Sequence, residues 1–131
     1  MDRQYTDQLI LLSAAAASGA SPAGNFASFR DIELQLAQVG FSGTIKFVGS
    51  NADTAPDFSS AASASNPWDY VQTVDQIDGS SIAGGTGIVS VTVTSIRNIE
   101  VNSNAFKWIG AILSNVTAGS VTLKAKGVSG I

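Results

Sequence analysis

Between residues 31 and 36, Ile32, Leu34 and Leu36 alternate with Asp31, Glu33 and Gln35, so an extended chain carries its apolar side chains on one face and its polar ones on the other. That is the pattern of a half-buried strand. In the next run, Thr44 to Val48, Ile45 and Phe47 point one way and Lys46 the other. The intervening Val39-Gly40-Phe41-Ser42-Gly43 supplies turn residues, and the two runs together predict a β-hairpin. Further strands are expected at 68–74, where Trp68, Tyr70, Gln72 and Val74 share one face and Val71 takes the other, and at 89–94, where Val89, Val91 and Val93 alternate with Ser90, Thr92 and Thr94. Three more are expected at about 97–103, 106–113 and 120–126, separated by Asn102-Ser103-Asn104 and Thr117-Ala118-Gly119. In the last two, Phe106 and Trp108 oppose Lys107, and Val121 and Leu123 oppose Thr122 and Lys124. Asp78-Gly79-Ser80-Ser81 and Gly84-Gly85-Thr86-Gly87 read as turns.

Two stretches depart from this grammar. Residues 49–66 hold almost no large apolar side chain except Phe58, and with Pro56 inside and Pro67 just beyond they predict a long loop pinned to the body by Phe58. At the N-terminus, Leu9-Ile10-Leu11-Leu12 runs into an alanine-rich segment followed by Gly19 and Pro22. No 3.6-residue stripe is present, so a strand at about 8–14 is expected ahead of an Ala/Ser/Gly/Pro connection, the alternative being a frayed or partner-paired arm. The domain division follows: 1–23 as N-terminal strand or arm with linker, 24–131 as the folded body. Asp2 and Asp7 flank a single Arg3, so the positive start of a signal peptide is missing and a mature N-terminus is expected. The apolar run is far shorter than the ~20 residues that span a bilayer, and no membrane association is expected.

Seven strands and an N-terminal eighth, without helical periodicity, predict an all-β fold. Antiparallel strands in that number imply a β-sandwich or jelly roll, because a single open sheet would leave an apolar face in water. A chain of 131 residues buries roughly two-thirds of its unfolded surface, enough for a core without cross-links. Disulfides are impossible here, since there is no cysteine, and folding in a reducing compartment is allowed.

Absent residue types narrow the chemistry. With neither histidine nor cysteine, the common catalytic triads, thiol nucleophiles and ordinary zinc sites cannot be assembled. Glu33 and Glu100, the only glutamates, could in principle form a carboxylate pair for glycoside cleavage, but both sit at polar positions of alternating strands, where a solvated face explains them. No enzymatic activity and no cofactor are expected. Asp75 and Asp78 ahead of Gly79, with Asp53, Asp57 and Asp69 nearby in sequence, offer oxygen ligands of the type calcium takes. The spacing does not match an EF-hand, and Asp-Gly is turn chemistry on its own account. Ten acids against seven scattered bases give a net charge of −3, which argues against a nucleic-acid partner; Lys124 and Lys126 share one strand face, as period-2 spacing alone would place them.

Several passages combine into a resemblance. Phe41-Ser42-Gly43-Thr44-Ile45-Lys46-Phe47-Val48-Gly49-Ser50-Asn51, then Asn66-Pro67-Trp68-Asp69-Tyr70-Val71-Gln72, the Asp78-Gly79-Ser80 turn, and Phe106-Lys107-Trp108-Ile109 with Thr117-Ala118-Gly119-Ser120-Val121-Thr122-Leu123-Lys124 look like small β-sandwich virion proteins of tailed bacteriophages. The likeness runs from about residue 24 to 127, in motifs that are largely β-hairpin grammar, and such patterns appear in head decoration, neck and tail-associated proteins. It implies a virion location after assembly in the host cytoplasm. The expected role is capsid decoration, with the major capsid protein or other virion proteins as partners and a homo-oligomer, trimer favoured, as the assembly state. The contact residues expected are Leu9, Ile10, Leu11 and Leu12, which could add a strand to a neighbour's sheet edge, together with Phe58, Trp68 and Tyr70. Core packing is the competing explanation for Trp68 and Trp108. A second reading is a tail- or fibre-associated carbohydrate-binding adhesin, since Asn66, Trp68, Asp69 and Tyr70 put aromatic faces beside hydrogen-bonding groups.

Overall fold

The computed structural model describes residues 4–5, 8–27, 29, 31–101 and 106–129. The expected turn at 102–104 lies outside them. The described chain is all-β and antiparallel: β1 (Gln4–Tyr5), β2 (Leu9–Ala15), β3 (Gly19–Ala20), β4 (Gly24–Asn25), β5 (Asp31–Ser50), β6 (Asp69–Tyr70), β7 (Thr73–Asp75), β8 (Ser81–Ile82), β9 (Ile88–Val101) and β10 (Trp108–Ser129). The long strands β5, β9 and β10 form the frame, with β5 in the middle.

The predicted hairpin at 39–43 is not found. Residues 31–50 form one strand that bends instead of reversing, and β9 and β10 likewise merge runs that the sequence divides at Ser95 and at 117–119. The physical reason lies in the pairing. From Gln38 to Phe41, β5 spends an extra residue against the step from Ser95 to Val93 on β9, and β9 then spends one between Val93 and Ser90 against Phe41 to Gly43. Each is a β-bulge, and a bulge both bends a strand and shifts which residues face inward. On β5 the buried positions accordingly change from Ile32, Leu34, Leu36 and Gln38 to Phe41, Ile45 and Phe47. On β9 they change from Ile88 and Ser90 to Ile99 and Val101. β10 absorbs two extra residues opposite Thr44 to Ser42, so its buried set, Ile109, Ala111, Leu113, Val121, Leu123 and Ala125, keeps one parity. The bends use left-handed backbone at Gly40 (φ 55°), Thr92 (φ 49°), Asn115 (φ 53°) and Gly119 (φ 74°).

The same three strands therefore run through both layers of the sandwich, turning the corner at bulges. Leu34, Leu36, Ile99 and Leu123 from one half meet Phe41, Ile45, Phe47, Ile109 and Leu113 from the other in a single core. Full burial of side chains of this size stabilises by about 1.5–3 kcal/mol each. At the sheet's far side, β1 to β4 line up in succession along the outer edge of β10.

Two alternations are present with an unexpected orientation. Ser90 faces the core and donates to Gln38 Oε1 at 2.6 Å, while Val89 and Val91 face solvent. Likewise Val71, Thr73 and Asp75 are the buried face of 71–75, and Tyr70 and Gln72 are outside.

Candidate interaction surface

The loop that follows β5 is organised from within by two side chains. Asn66 Oδ1 accepts from the Asp57 amide at 2.8 Å, and its Nδ2 donates to the carbonyls of Asp57 (2.8 Å) and Ala61 (3.2 Å). The Asp57 carboxylate accepts from the Ser59 amide and hydroxyl and from the Ser60 hydroxyl, with the Ser59 hydroxyl first among the contacts that hold its pKa below the usual carboxylate value. Phe58 is buried as expected, and its ring meets Trp68 edge-on with centroids 6.1 Å apart. Trp68 meets Tyr70 in the same way at 5.5 Å and donates from Nε1 to the Ser60 carbonyl at 3.1 Å. Lys46 Nζ stands 5.1 Å from the Tyr70 ring centre. The three aromatic contact candidates are thus brought into one series that runs from a buried Phe58, which its pinning role takes out of the exposed contact set, through a half-buried Trp68 to an exposed Tyr70.

Beside Trp68 opens a shallow cleft of about 580 Å³, lined among others by Asn51, Ala52, Ser63, Pro67, Asp69 and Phe106. Asp69 Oδ1 accepts from the Tyr70 amide at 2.7 Å. Asn66 is spent on the loop's own backbone and Ser50 donates to the Pro67 carbonyl, so the other polar side chains beside Trp68 are Asn51, Asp69 and Ser63, the last also bonded to Ser65 and the Asn66 amide. Trp108 is fixed elsewhere, donating to the Ala52 carbonyl at 2.8 Å.

In the N-terminal segment, Leu9 to Leu12 are paired within the chain, against Ala125, Lys124 and Leu123 of β10. Leu11 is buried in the core, which removes it from the exposed contact set: its side chain is on the inward face of β2. Leu12 is partly buried against the core, whereas Leu9 and Ile10 are exposed.

The carboxylates separate into three kinds. Asp78 accepts from Ser80, whose side chain and amide lower its pKa, and its role is that of a turn residue. Asp75 is buried, accepting from the Ile77 amide at 3.1 Å and from Arg97 Nε at 3.0 Å, with a second contact from the other guanidinium arm. The calcium reading of this pair thus meets two carboxylates engaged by turn amides and an arginine; among the described residues no three acidic side chains are grouped as a metal would need.

Glu33 and Glu100 are direct cross-strand neighbours, a juxtaposition that strand spacing alone could not reveal. Burial first, then the negative charges of Glu100 and Asp31, hold the Glu33 pKa above its ordinary value. Gln76 Nε2 donates to Glu100 at 3.2 Å, and Lys126 lies opposite Glu33 on β10. With its folded-state pKa raised, Glu33 contributes stability that is present below the unfolded carboxylate pKa and is lost as pH rises through the folded value. Glu100→Gln is therefore expected to raise stability at pH 7 by about 0.5 kcal/mol, with the gain shrinking as pH falls toward the carboxylate range. Urea midpoints at neutral and mildly acidic pH check this.

The sequence reading missed an apolar group on the exterior: Val89, Val91 and Ile96 of β9 with Val39 of β5, all exposed near the bend. The available signal was the absence of any charge from 88 to 96.

No protein-family model matches this sequence, and no curated protein matches it. Among solved structures, the chain is similar to the SPBc2 prophage-derived protein YomS, with a TM-score of 0.72 at 15% identity over 98% of this chain and 96% of that one. It is also similar to the PBSX exported protein XepA, with a TM-score of 0.71 at 14% identity over 98% of this chain; the match spans 39% of XepA. At these identities the likeness is one of fold.

Proposed function

We propose that this chain is a virion structural protein of a tailed bacteriophage, a capsid decoration protein that acts as a homo-oligomer through contacts of its exterior and has no catalytic role. The observation that carries the reading is the end-to-end match of its bulged sandwich to a prophage-derived protein of nearly the same extent. Asp57, Asp75 and Asp78 support it, because they are spent on loop and turn contacts and one internal ion pair, while apolar side chains stand outside. A decoration protein stabilises a shell by binding only the assembled form, and the gain grows with its concentration over Kd. Titration of the purified chain onto empty phage heads lacking it is expected to give saturable binding and a higher disruption temperature; heads that bind nothing would refute the role.

One observation favours a second reading, a carbohydrate-binding adhesin. The cleft beside Trp68 sets an aromatic ring among Asn51, Ser63 and Asp69, the combination that sugar rings and hydroxyls take, and one structural neighbour is an exported protein. Specific glycan binding that Trp68→Ala removes from a still folded chain would decide for adhesion.

A further inference from the structure

We propose that the outer edge of β9 pairs with the same edge of a second copy of this chain, antiparallel about a two-fold axis. This depends on the edge itself and stands whether or not the protein belongs to a virion. On one side β9 is bonded to β5 along its length, from Ile88 to Glu100. On the other, β7 covers only Ile99 to Val101, and the Gln76 amide reaches the Asn98 carbonyl at 2.9 Å. From 88 to 97 no strand pairs with this side among the described residues, and the Thr92 amide, at the bulge, donates back to Ser42 Oγ on β5 at 2.8 Å. An edge of this kind is a template for another strand, and natural sheets usually blunt it with lysine, proline or inward charges. Here the stretch 88–96 contains none of these.

The side chains agree with the backbone. Val39 (62% exposed), Val89 (70%), Val91 (78%) and Ile96 (71%) lie on the outer face around this edge. Charge selects the occupant. The chain carries −3, and Glu33, Glu100 and Asp78 lie beyond the end of the strip, where Arg97 is matched by Asp75, so two copies approach with least like-charge repulsion along the neutral stretch.

Register then makes the strip self-complementary. The bulge near Thr92 moves the outward positions from Val89 and Val91 to Thr94, Ile96 and Asn98. With the bulged Thr92 left unpaired, a two-fold axis through Thr94 therefore sets Val91 of one copy against Ile96 of the other on the same face, twice over, as directly opposed strand residues require. The approach ends where the β7–β8 turn rises, at a small cavity of about 220 Å³ between Ile77 and Ile96. Such a contact is closed by its own symmetry and gives dimers; a trimer needs a second, head-to-tail contact.

The absence of cysteine in the natural chain makes the test clean. In sedimentation experiments the full chain is expected to run as a dimer or a multiple of it, and Val91→Lys to lower that state with an unchanged circular-dichroism spectrum. The double variant Val91→Cys/Ile96→Cys is expected to cross-link into a reducible dimer on mild oxidation, and Val91→Cys alone to cross-link far less. A monomer at every concentration, an oligomer indifferent to Val91→Lys, or equal cross-linking by the single and double variants would overturn the proposal. A monomer that still binds phage heads would leave the decoration role standing without this interface.

Discussion

Gly119→Ala is expected to remove about 3–4 kcal/mol of stability, read as a fall in the urea midpoint with an unchanged slope. Two effects add. Gly119 holds φ +74°, a left-handed conformation that costs an L-residue about 1–2 kcal/mol. A side chain there would also drive its Cβ into the Gly40 carbonyl group, and backbone at the centre of a paired sheet cannot step aside as a side chain would. Gly79 supplies the control. It has nearly the same φ, +72°, but open space around the position, so Gly79→Ala is expected to cost only the conformational part. If the two substitutions cost the same, the close approach of the β5 and β10 bends does not limit the fold.

Asp75→Asn is expected to cost about 2–3 kcal/mol, below the roughly 3–5 kcal/mol of breaking a fully buried ion pair because Arg97 keeps 30% of its side chain in solvent. The carboxylate ties three elements together. It holds Arg97 on β9, caps the Ile77 amide in the following turn, and sits at the end of β7, where its own amide donates to Ser80. Since the Asp75 side chain is only 5% exposed, the loss is expected to persist in high salt, unlike that of a surface pair. A double-mutant cycle with Arg97→Gln isolates the charge coupling from the turn contact; an additive cycle would show that the pair contributes nothing beyond its hydrogen bonds.

The all-β class was legible because alternation is a local property: Ile32, Leu34 and Leu36 have their period whatever they pair with. The division into strands was not. Gly40 and Gly119 serve equally well in a reversing turn and in a bulge, since both need left-handed backbone, and only the partner strand's register separates the two. The same ambiguity hid the inward face of β9. Valine usually marks the buried side of a pleat, yet Ser90 is inside here because Gln38, buried where β5 bends, gives its hydroxyl an acceptor. Among the contact candidates, Phe58, Trp68 and Tyr70 were readable as large aromatics in and beside a polar loop, and the structure assembles them in one series. Leu11 was not separable from Leu9, Ile10 and Leu12 in an unbroken apolar run, because nothing in that run marks which side meets the core. The pairing of Glu33 with Glu100 was invisible for a different reason: their proximity exists only through the register of β5 on β9.

The most direct measurement is the copy number of this chain in purified phage particles, by quantitative mass spectrometry. Hundreds of copies per particle, in fixed ratio to the major capsid protein, are expected of a shell component that works through its exterior. Particles free of the chain, with the protein left soluble in the lysate, would contradict a place in the virion.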